Sequence, residues 1–439
     1  MDSIVEESPR ETASVSRVDR VIGASRVSLR CERCCGVFDI SPMFTGCPNC
    51  YSEGTLSVPE VIYDFDAQID AFAPLPGNDY ASGCTERYKN LLPVQICRKI
   101  ISRGEGGTPL VRLPGLSDRL GLKNLFFKCE SANPTSSFKD RYVSVTVSLA
   151  AHFGFKRAVV ASTGNLGVSA AAYCAAAGIK CIVLMSDDAP EAMADAASNH
   201  GAIVVKSPKD VRPKLLDHLV LRQNCFPIAL RINRPVNNPF GIEGYKTIAF
   251  EIVDSLGEVD AVVFPSARGN GLYGTWKGFV EAKKFGRISR LPAVVATQPV
   301  GANSLEVSVD RNAKDPIELP PTTSVAFSTC EAISDTKALE AIRASKGTAV
   351  SATEEEILQA THDLYSEGLN IETSSALPLA GIEKVKQKLG LSADAKIVCL
   401  LTASGRSSTD QSPSKSKRNT YFASSVKDLG AVIAAINHD

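Results

Sequence analysis

The chain has 439 residues, 44% hydrophobic and 22% charged, with 48 basic side chains against 48 acidic ones. A chain of that length and composition can bury the core of about two domains, and its even charge balance gives no general attraction to nucleic acid or anionic lipid. No apolar run reaches the roughly 18 residues of a membrane span. The opening MDSIVEESPRETASVSR lacks the apolar core of a signal peptide, and thirteen scattered cysteines suit a reducing compartment. The expectation is a cytoplasmic protein acting on a small neutral or anionic molecule, with neither nucleic acid nor membrane as partner.

Residues 1–25 are polar and aperiodic and read as a disordered arm. Within 26–55, Cys31, Cys34, Cys47 and Cys50 form two CxxC knuckles with twelve residues between them. Soft, anionic thiolates at that spacing suit a zinc ribbon, and four protein ligands leave no open position, so the ion would be structural. The alternative is a metal-free remnant, and Cys35 beside Cys34 offers a competing ligand. From about residue 105 short apolar runs alternate with amphipathic or Ala-rich stretches, the rhythm of an α/β protein with a largely parallel sheet. Strands are predicted at 125–130, 157–162, 181–186, 202–206, 261–266, 293–297 and 396–402, with helices following nearly every one. The polar stretch 407–419 predicts an exposed loop before a last helix over about 425–437.

The segment NPTSSFKDR, Asn133 to Arg141, sits between a predicted strand and a buried helix, with Lys139 near the helix start. The positive end of a helix dipole disfavours an ammonium ion there and promotes the neutral amine that imine chemistry needs. STGNLG, 162–167, follows a strand and opens an Ala-rich helix, an arrangement that offers backbone N–H groups to an anion; an ordinary capped helix is the plainer reading. FPSARGNGLYG, 264–274, reads as a strand, a glycine-containing loop and a helix, which cradles phosphate on backbone amides.

EGGTPLVRLPGL (105–116), SANPTSSFKDR (131–141) and STGNLGVSAAAYCAAAG (162–178) resemble, in order and spacing, the signatures of fold type II pyridoxal-phosphate enzymes. Within that family the chain is most similar to threonine synthases, through Asp140-Arg141 after the lysine, NPFGIEGYKTIAFEIVDSLG (238–257), WKGF (276–279) and EGLNIETSSALPLAG (367–381). The two knuckles also resemble those at the front of some threonine synthases. The resemblance implies an α/β fold of two three-layer domains behind a zinc-ribbon-like segment. Residues 56–147 and 233–439 would form the large cofactor domain, and 148–232 a small mobile domain closing over the substrate. Many relatives are homodimers, and the same is expected here. Lys139 would form the Schiff base and then move the α-proton. Phe138, Asn165, Arg268, Gly269, Asn270, Gly271 and Thr402 would hold the cofactor, Thr402 opposite its pyridine nitrogen. Ser162, Thr163, Gly164 and Asn165 would hold the substrate carboxylate.

Some positions depart from the pattern. Threonine synthase expels phosphate from O-phosphohomoserine, and bacterial members would show approximately Asn-Ser-x-Asn-Pro-x-Arg ahead of Glu-Gly-x-Lys-Thr. Here Pro235, Val236 and Gly241 occupy the three phosphate-binding places, and Ala267-Arg268 replaces Gly-Asn. ASGRSSTD (403–410) stands where Gly-His-Gly-Leu-Lys-Asp is usual after the threonine. Each missing charge-assisted hydrogen bond costs roughly 1.5–3 kcal/mol, unless Arg268 compensates. The leading expectation is therefore β/γ-elimination and replacement on an amino acid other than O-phosphohomoserine. A genuine threonine synthase, converting O-phosphohomoserine and water to threonine and phosphate, is the first alternative, and a non-catalytic binding protein on the same fold is the second. A zinc-ribbon nucleic-acid module finds no basic patch to support it.

Overall fold

The computed structural model of the chain describes residues 26–51, 57–65, 83–228, 238–405 and 420–437. All seven apolar runs read as strands form strands, and they divide between two sheets. The larger has six strands in the order Thr348–Ala352, Ala293–Pro299, Ala261–Pro265, Lys396–Leu401, Asn124–Cys129 and Leu110–Arg112. Neighbours are parallel except at the Leu110–Arg112 edge. The smaller has five parallel strands, Thr420–Phe422, Ile203–Ser207, Lys180–Ser186, Arg157–Ala161 and Phe226–Pro227. Parallel sheets are covered on both faces, which is why their central strands read as nearly unbroken Val, Ile and Leu rather than as an alternation.

Helix Lys139–His152 carries the chain from the larger sheet to the smaller, and every residue from Asp140 to Ala150 in it is buried. Its hydroxyls must then find partners inside: Ser144 donates to the Ile101 carbonyl, while Thr146 and Ser148 donate to carbonyls one turn back. One apolar cluster runs past this helix and takes Val160, Val183 and Val204 from one sheet and Val262, Val294 and Val398 from the other.

Two regions differ from the sequence reading. The cysteine segment is built on an antiparallel sheet of Val37–Asp39, Arg26–Cys31 and Pro59–Asp64, strands in which charged and polar residues interrupt the apolar ones so that no apolar run stands out. The chain beyond 419, grouped by its sequence position with the larger sheet, instead adds Thr420–Phe422 to the smaller one. Ala423, Leu429 and Val432 bury against Leu215, Leu216 and Leu219 there, the apolar cover that these residues need. The last helix is shorter than expected, Gly430–Asn437 after a tight turn at Val426–Leu429. The arm 1–25 and the loop 407–419 lie outside the described residues.

Candidate active site

In open parallel sheets ligands bind beyond the carboxyl ends of the strands, and the motif residues sit at or just after such ends. Lys139 is the first residue of its helix, and its backbone N–H donates to the Ser137 hydroxyl at 3.2 Å. The loop before it is fixed from the neighbouring strand: the Phe138 N–H donates to the Thr402 carbonyl at 2.9 Å, and Ser137 bridges Ala403. The Lys139 ammonium lies 4.2 Å from the centre of the Phe138 ring, which stacks on Tyr245 at 4.9 Å. Burial pushes this ammonium down to about 8, against the opposing charge of Glu372. The amine is therefore much closer to neutrality at physiological pH than an ordinary lysine.

Asn165 opens helix Asn165–Ala177 on the smaller-sheet side, and its side-chain amide donates to Glu372 at 2.8 Å. The other Glu372 oxygen accepts from Ser328. Three residues on, the Ser375 and Thr402 hydroxyls are 3.0 Å apart. Ser162, Thr163 and Gly164 form the half-buried turn ahead of the helix, and a Cβ built on Gly164 would meet nothing within 4 Å, so the turn borders open space.

The glycine loop approaches from the larger sheet. Gly269 has φ +89°, and a Cβ there would fall 2.4 Å from Ala338 Cβ; at Gly271 it would fall 2.7 Å from the Phe138 ring. Close packing requires both glycines, and Asn270 begins helix Asn270–Lys284. The Arg268 guanidinium turns to Glu331 at 3.2 Å.

Behind the lysine lies a buried polar network. Arg141 grips Glu130 and Glu251 through hydrogen bonds of 2.7–2.8 Å, and Lys128 adds a 2.7 Å pair to Glu251. Two cations and two carboxylates balance there, which makes their joint burial tolerable and the loss of any one costly. Asp140 accepts from the Thr135 N–H at 2.7 Å and from the Ser169 hydroxyl, and so ties the start of the Lys139 helix to the Asn165 helix.

Of the three altered phosphate positions, Pro235 and Val236 lie outside the described residues. Gly241 is buried, and a Cβ on it would fall 2.1 Å from the Tyr142 ring. The Tyr142 hydroxyl is itself buried without a hydrogen-bond partner among the described residues.

Away from this cleft, the ligand atoms of Cys31, Cys34, Cys47 and Cys50 all lie within 4.8 Å of one another. Cys31 and Cys50 sulfurs are 3.7 Å apart, and those of Cys34 and Cys47 3.6 Å. Zinc–sulfur bonds of about 2.3 Å in a tetrahedron place sulfurs roughly 3.8 Å apart, so the set fits one ion. Cys35, at φ +57°, is exposed and outside this group.

Phe138, next to Lys139, contacts both Gly271 and the Thr402 carbonyl, and Asn165 reaches this group through Glu372. The Arg268 side chain, at the same loop, forms a part-exposed pair with Glu331. Glu372, Ser375 and Tyr142 were not singled out by sequence, although Glu372 and Ser375 lie in EGLNIETSSALPLAG, whose similarity to threonine synthases was the available signal.

A pyridoxal-phosphate dependent enzyme family model matches residues 101–403, and the chain belongs to that family. More narrowly, it is a threonine synthase-like member with the fold type II architecture. It is 36% identical to a threonine synthase of Methanocaldococcus jannaschii over 388 residues, 87% of this chain and 93% of that one. Against a threonine synthase of Mycobacterium leprae the identity is 35% over 361 residues, 80% of this chain and 96% of that one. Among solved structures, the processed form of threonine deaminase isoform 2 from Solanum lycopersicum superposes with a TM-score of 0.61 at 22% identity, covering 77% of this chain and 92% of that one, a likeness of fold. The protein is thus a pyridoxal-phosphate-dependent enzyme, and among its described residues no helix is long and apolar enough to cross a membrane.

Proposed function

We propose that the enzyme carries out β/γ-elimination and replacement on an amino acid whose leaving group differs from the phosphate of O-phosphohomoserine. The observation that carries this reading is the Gly241–Tyr142 contact. Where the sequence pattern of bacterial threonine synthases has an arginine for the leaving phosphate, this chain has no side chain, and the Tyr142 ring fills the space in which one would start.

The cleft fits pyridoxal phosphate in three respects: an amine whose burial favours its neutral form, two glycines that bring a loop and helix start against Phe138, and the Thr402 hydroxyl beside Ser375. Bound there, the cofactor supplies an electron sink for the α-carbon of an amino acid. Lys139 is the residue that would bind it covalently and carry the α-proton on its amine. Gly269, Asn270 and Gly271, with Arg268, would hold its phosphate, Phe138 and Asn165 would flank it, and Thr402 would face the pyridine nitrogen. Ser162, Thr163, Gly164 and Asn165 would take the substrate carboxylate. Closure of the smaller sheet and its helices over the cleft would exclude water from the reacting carbon. The four cysteines would hold a structural zinc ion. Assembly as a homodimer and a cytoplasmic location complete the proposal.

The test follows phosphate and threonine release from O-phosphohomoserine, beside a panel of acetylated, phosphorylated and sulfur-bearing amino acids. The expected result is visible absorbance from bound cofactor that Lys139→Ala abolishes, poor turnover of O-phosphohomoserine, and turnover of a panel member. Rapid release of both products would make the protein a genuine threonine synthase with a rebuilt phosphate site. Bound cofactor with no turnover of any amino acid would favour the non-catalytic reading.

A further inference from the structure

The cysteine knuckles do not hang free of the enzyme; they are wired to the glycine loop by two routes. Glu32, between Cys31 and Cys34, pairs with Lys337. Lys337 belongs to helix Thr336–Ala344, whose Ala338 fills the space beside Gly269, and the Asp335 N–H just before it donates to the Arg268 carbonyl at 2.9 Å. The second route runs through the ribbon's sheet, where Cys31 is in register with Pro59 and Arg30 with Glu60. Glu60 accepts from the Tyr273 hydroxyl, and the Val61 carbonyl accepts from Lys277 at 2.6 Å. Tyr273 and Lys277 lie on successive turns of the helix that begins at Asn270.

The ribbon also reaches the other half of the cleft. Phe44, in the loop between the knuckles, is buried with its ring 4.8 Å from Phe226 and 6.2 Å from Phe155, edge to face. Phe226 is in the smaller sheet. A segment of modest size therefore touches both the first two turns of the Asn270 helix, with the helix packed on Gly269, and the sheet that faces them. Leu29, Phe44 and Val61 anchor its sheet and loop in the main core, but the knuckles themselves are held by little more than Cys31, Cys47, Cys50 and Phe38, which leaves their order to a cross-link.

We infer that the four-cysteine site is a brace for the cofactor cleft: a zinc ion held there orders the ribbon, and the ordered ribbon fixes the glycine loop, so that metal occupancy and pyridoxal-phosphate affinity are thermodynamically coupled. The inference rests on the zinc reading above. Coupling of this kind is reciprocal, so bound cofactor must tighten zinc binding by the same factor.

The experiment uses the full chain, with zinc measured by elemental mass spectrometry and pyridoxal-phosphate dissociation constants measured by fluorescence titration, before and after stripping by a chelator. Stripping is expected to weaken cofactor binding about fivefold or more, and loading with cofactor to raise the zinc affinity, measured by equilibrium competition with a chromogenic chelator, by the same factor. Glu60→Gln, which leaves all four cysteines in place, is expected to keep its zinc and yet loosen the cofactor in the same direction. Lys277→Met should reduce the difference between loaded and stripped protein. Zinc-loaded Glu60→Gln and Lys277→Met proteins, folded by circular dichroism, that bind cofactor as tightly as the unaltered chain would overturn the brace, whatever stripping does. A chain that takes up no zinc sinks the metal reading and the coupling together, whereas zinc bound at one per chain without effect on cofactor sinks the coupling alone.

Discussion

Asn165 donates to Glu372 at 2.8 Å across 207 residues of sequence, joining the first turn of a smaller-sheet helix to a segment packed beside Thr402 on the larger sheet. The same carboxylate is the charge that opposes the lowering of Lys139. Glu372→Gln keeps an oxygen that can accept from Asn165 and removes only the charge. A nearby anion stabilises an ammonium ion, so its removal must lower the Lys139 amine further, below about 8. The rate at which cofactor-free protein captures pyridoxal phosphate, followed by absorbance against pH, should shift its midpoint to the acid side. A midpoint that stays or moves to alkaline pH contradicts the assignment of Glu372 as the opposing charge.

Lys139 is also expected to destabilise the cofactor-free protein. Its folded-state value is depressed by burial, so between about 8 and its ordinary 10.5 the unfolded chain binds more protons than the folded one, and stability rises with pH across that window. Below it the folded protein carries the full cost of a buried ammonium. Lys139→Met should therefore raise the stability of cofactor-free protein at pH 7 by on the order of 1–3 kcal/mol, and the gain should shrink toward pH 10. Urea melts at both pH values decide this, and an equal gain at each would rule out the charge as its cause.

How much of this site the sequence revealed depends on the range of the interactions. Strands such as Lys180–Ser186 and Lys396–Leu401 announce themselves because consecutive residues are buried on both faces. Lys139 and the glycine loop are local chemistry, a lysine at a helix start and a turn that admits no side chain, and short motifs carry such information. Glu372 is different: its meaning comes from Asn165, Ser328 and Lys139, each far from it in the chain, and no local pattern encodes that meeting. The strand Thr420–Phe422 was misplaced for the same reason, since its partner Ile203–Ser207 lies more than half the larger domain away in sequence.

The glycine loop should tolerate no side chain at position 269. Gly269→Ala places a Cβ 2.4 Å from that of Ala338 on a backbone with φ +89°, and an alanine Cβ has no flexible end that could move aside. Left-handed backbone strain alone costs about 1–3 kcal/mol, and relieving the clash requires moving helix Thr336–Ala344 or the loop itself. The variant should melt earlier and bind pyridoxal phosphate several-fold more weakly. An unchanged melting temperature together with unchanged cofactor affinity would show that the loop has slack that the packing denies.

Two buried tyrosines should respond in opposite ways to loss of their hydroxyls. Tyr173 donates to Glu105 at 2.9 Å, a carboxylate that is fully buried, so Tyr173→Phe removes a charge-assisted bond and should cost about 1.5–3 kcal/mol. The Tyr142 hydroxyl has no partner among the described residues, and burying an unpaired hydroxyl is unfavourable. Tyr142→Phe keeps the ring that fills the space beside Gly241 and should leave stability unchanged or raise it by up to about 1 kcal/mol. Denaturant melts of the two variants make the comparison, with the same protein as its own control. A loss in Tyr142→Phe as large as in Tyr173→Phe would mean that the hydroxyl is bonded in the native protein. In that case the polarity beside Gly241, and not the ring alone, would enter the account of which leaving group the cleft admits.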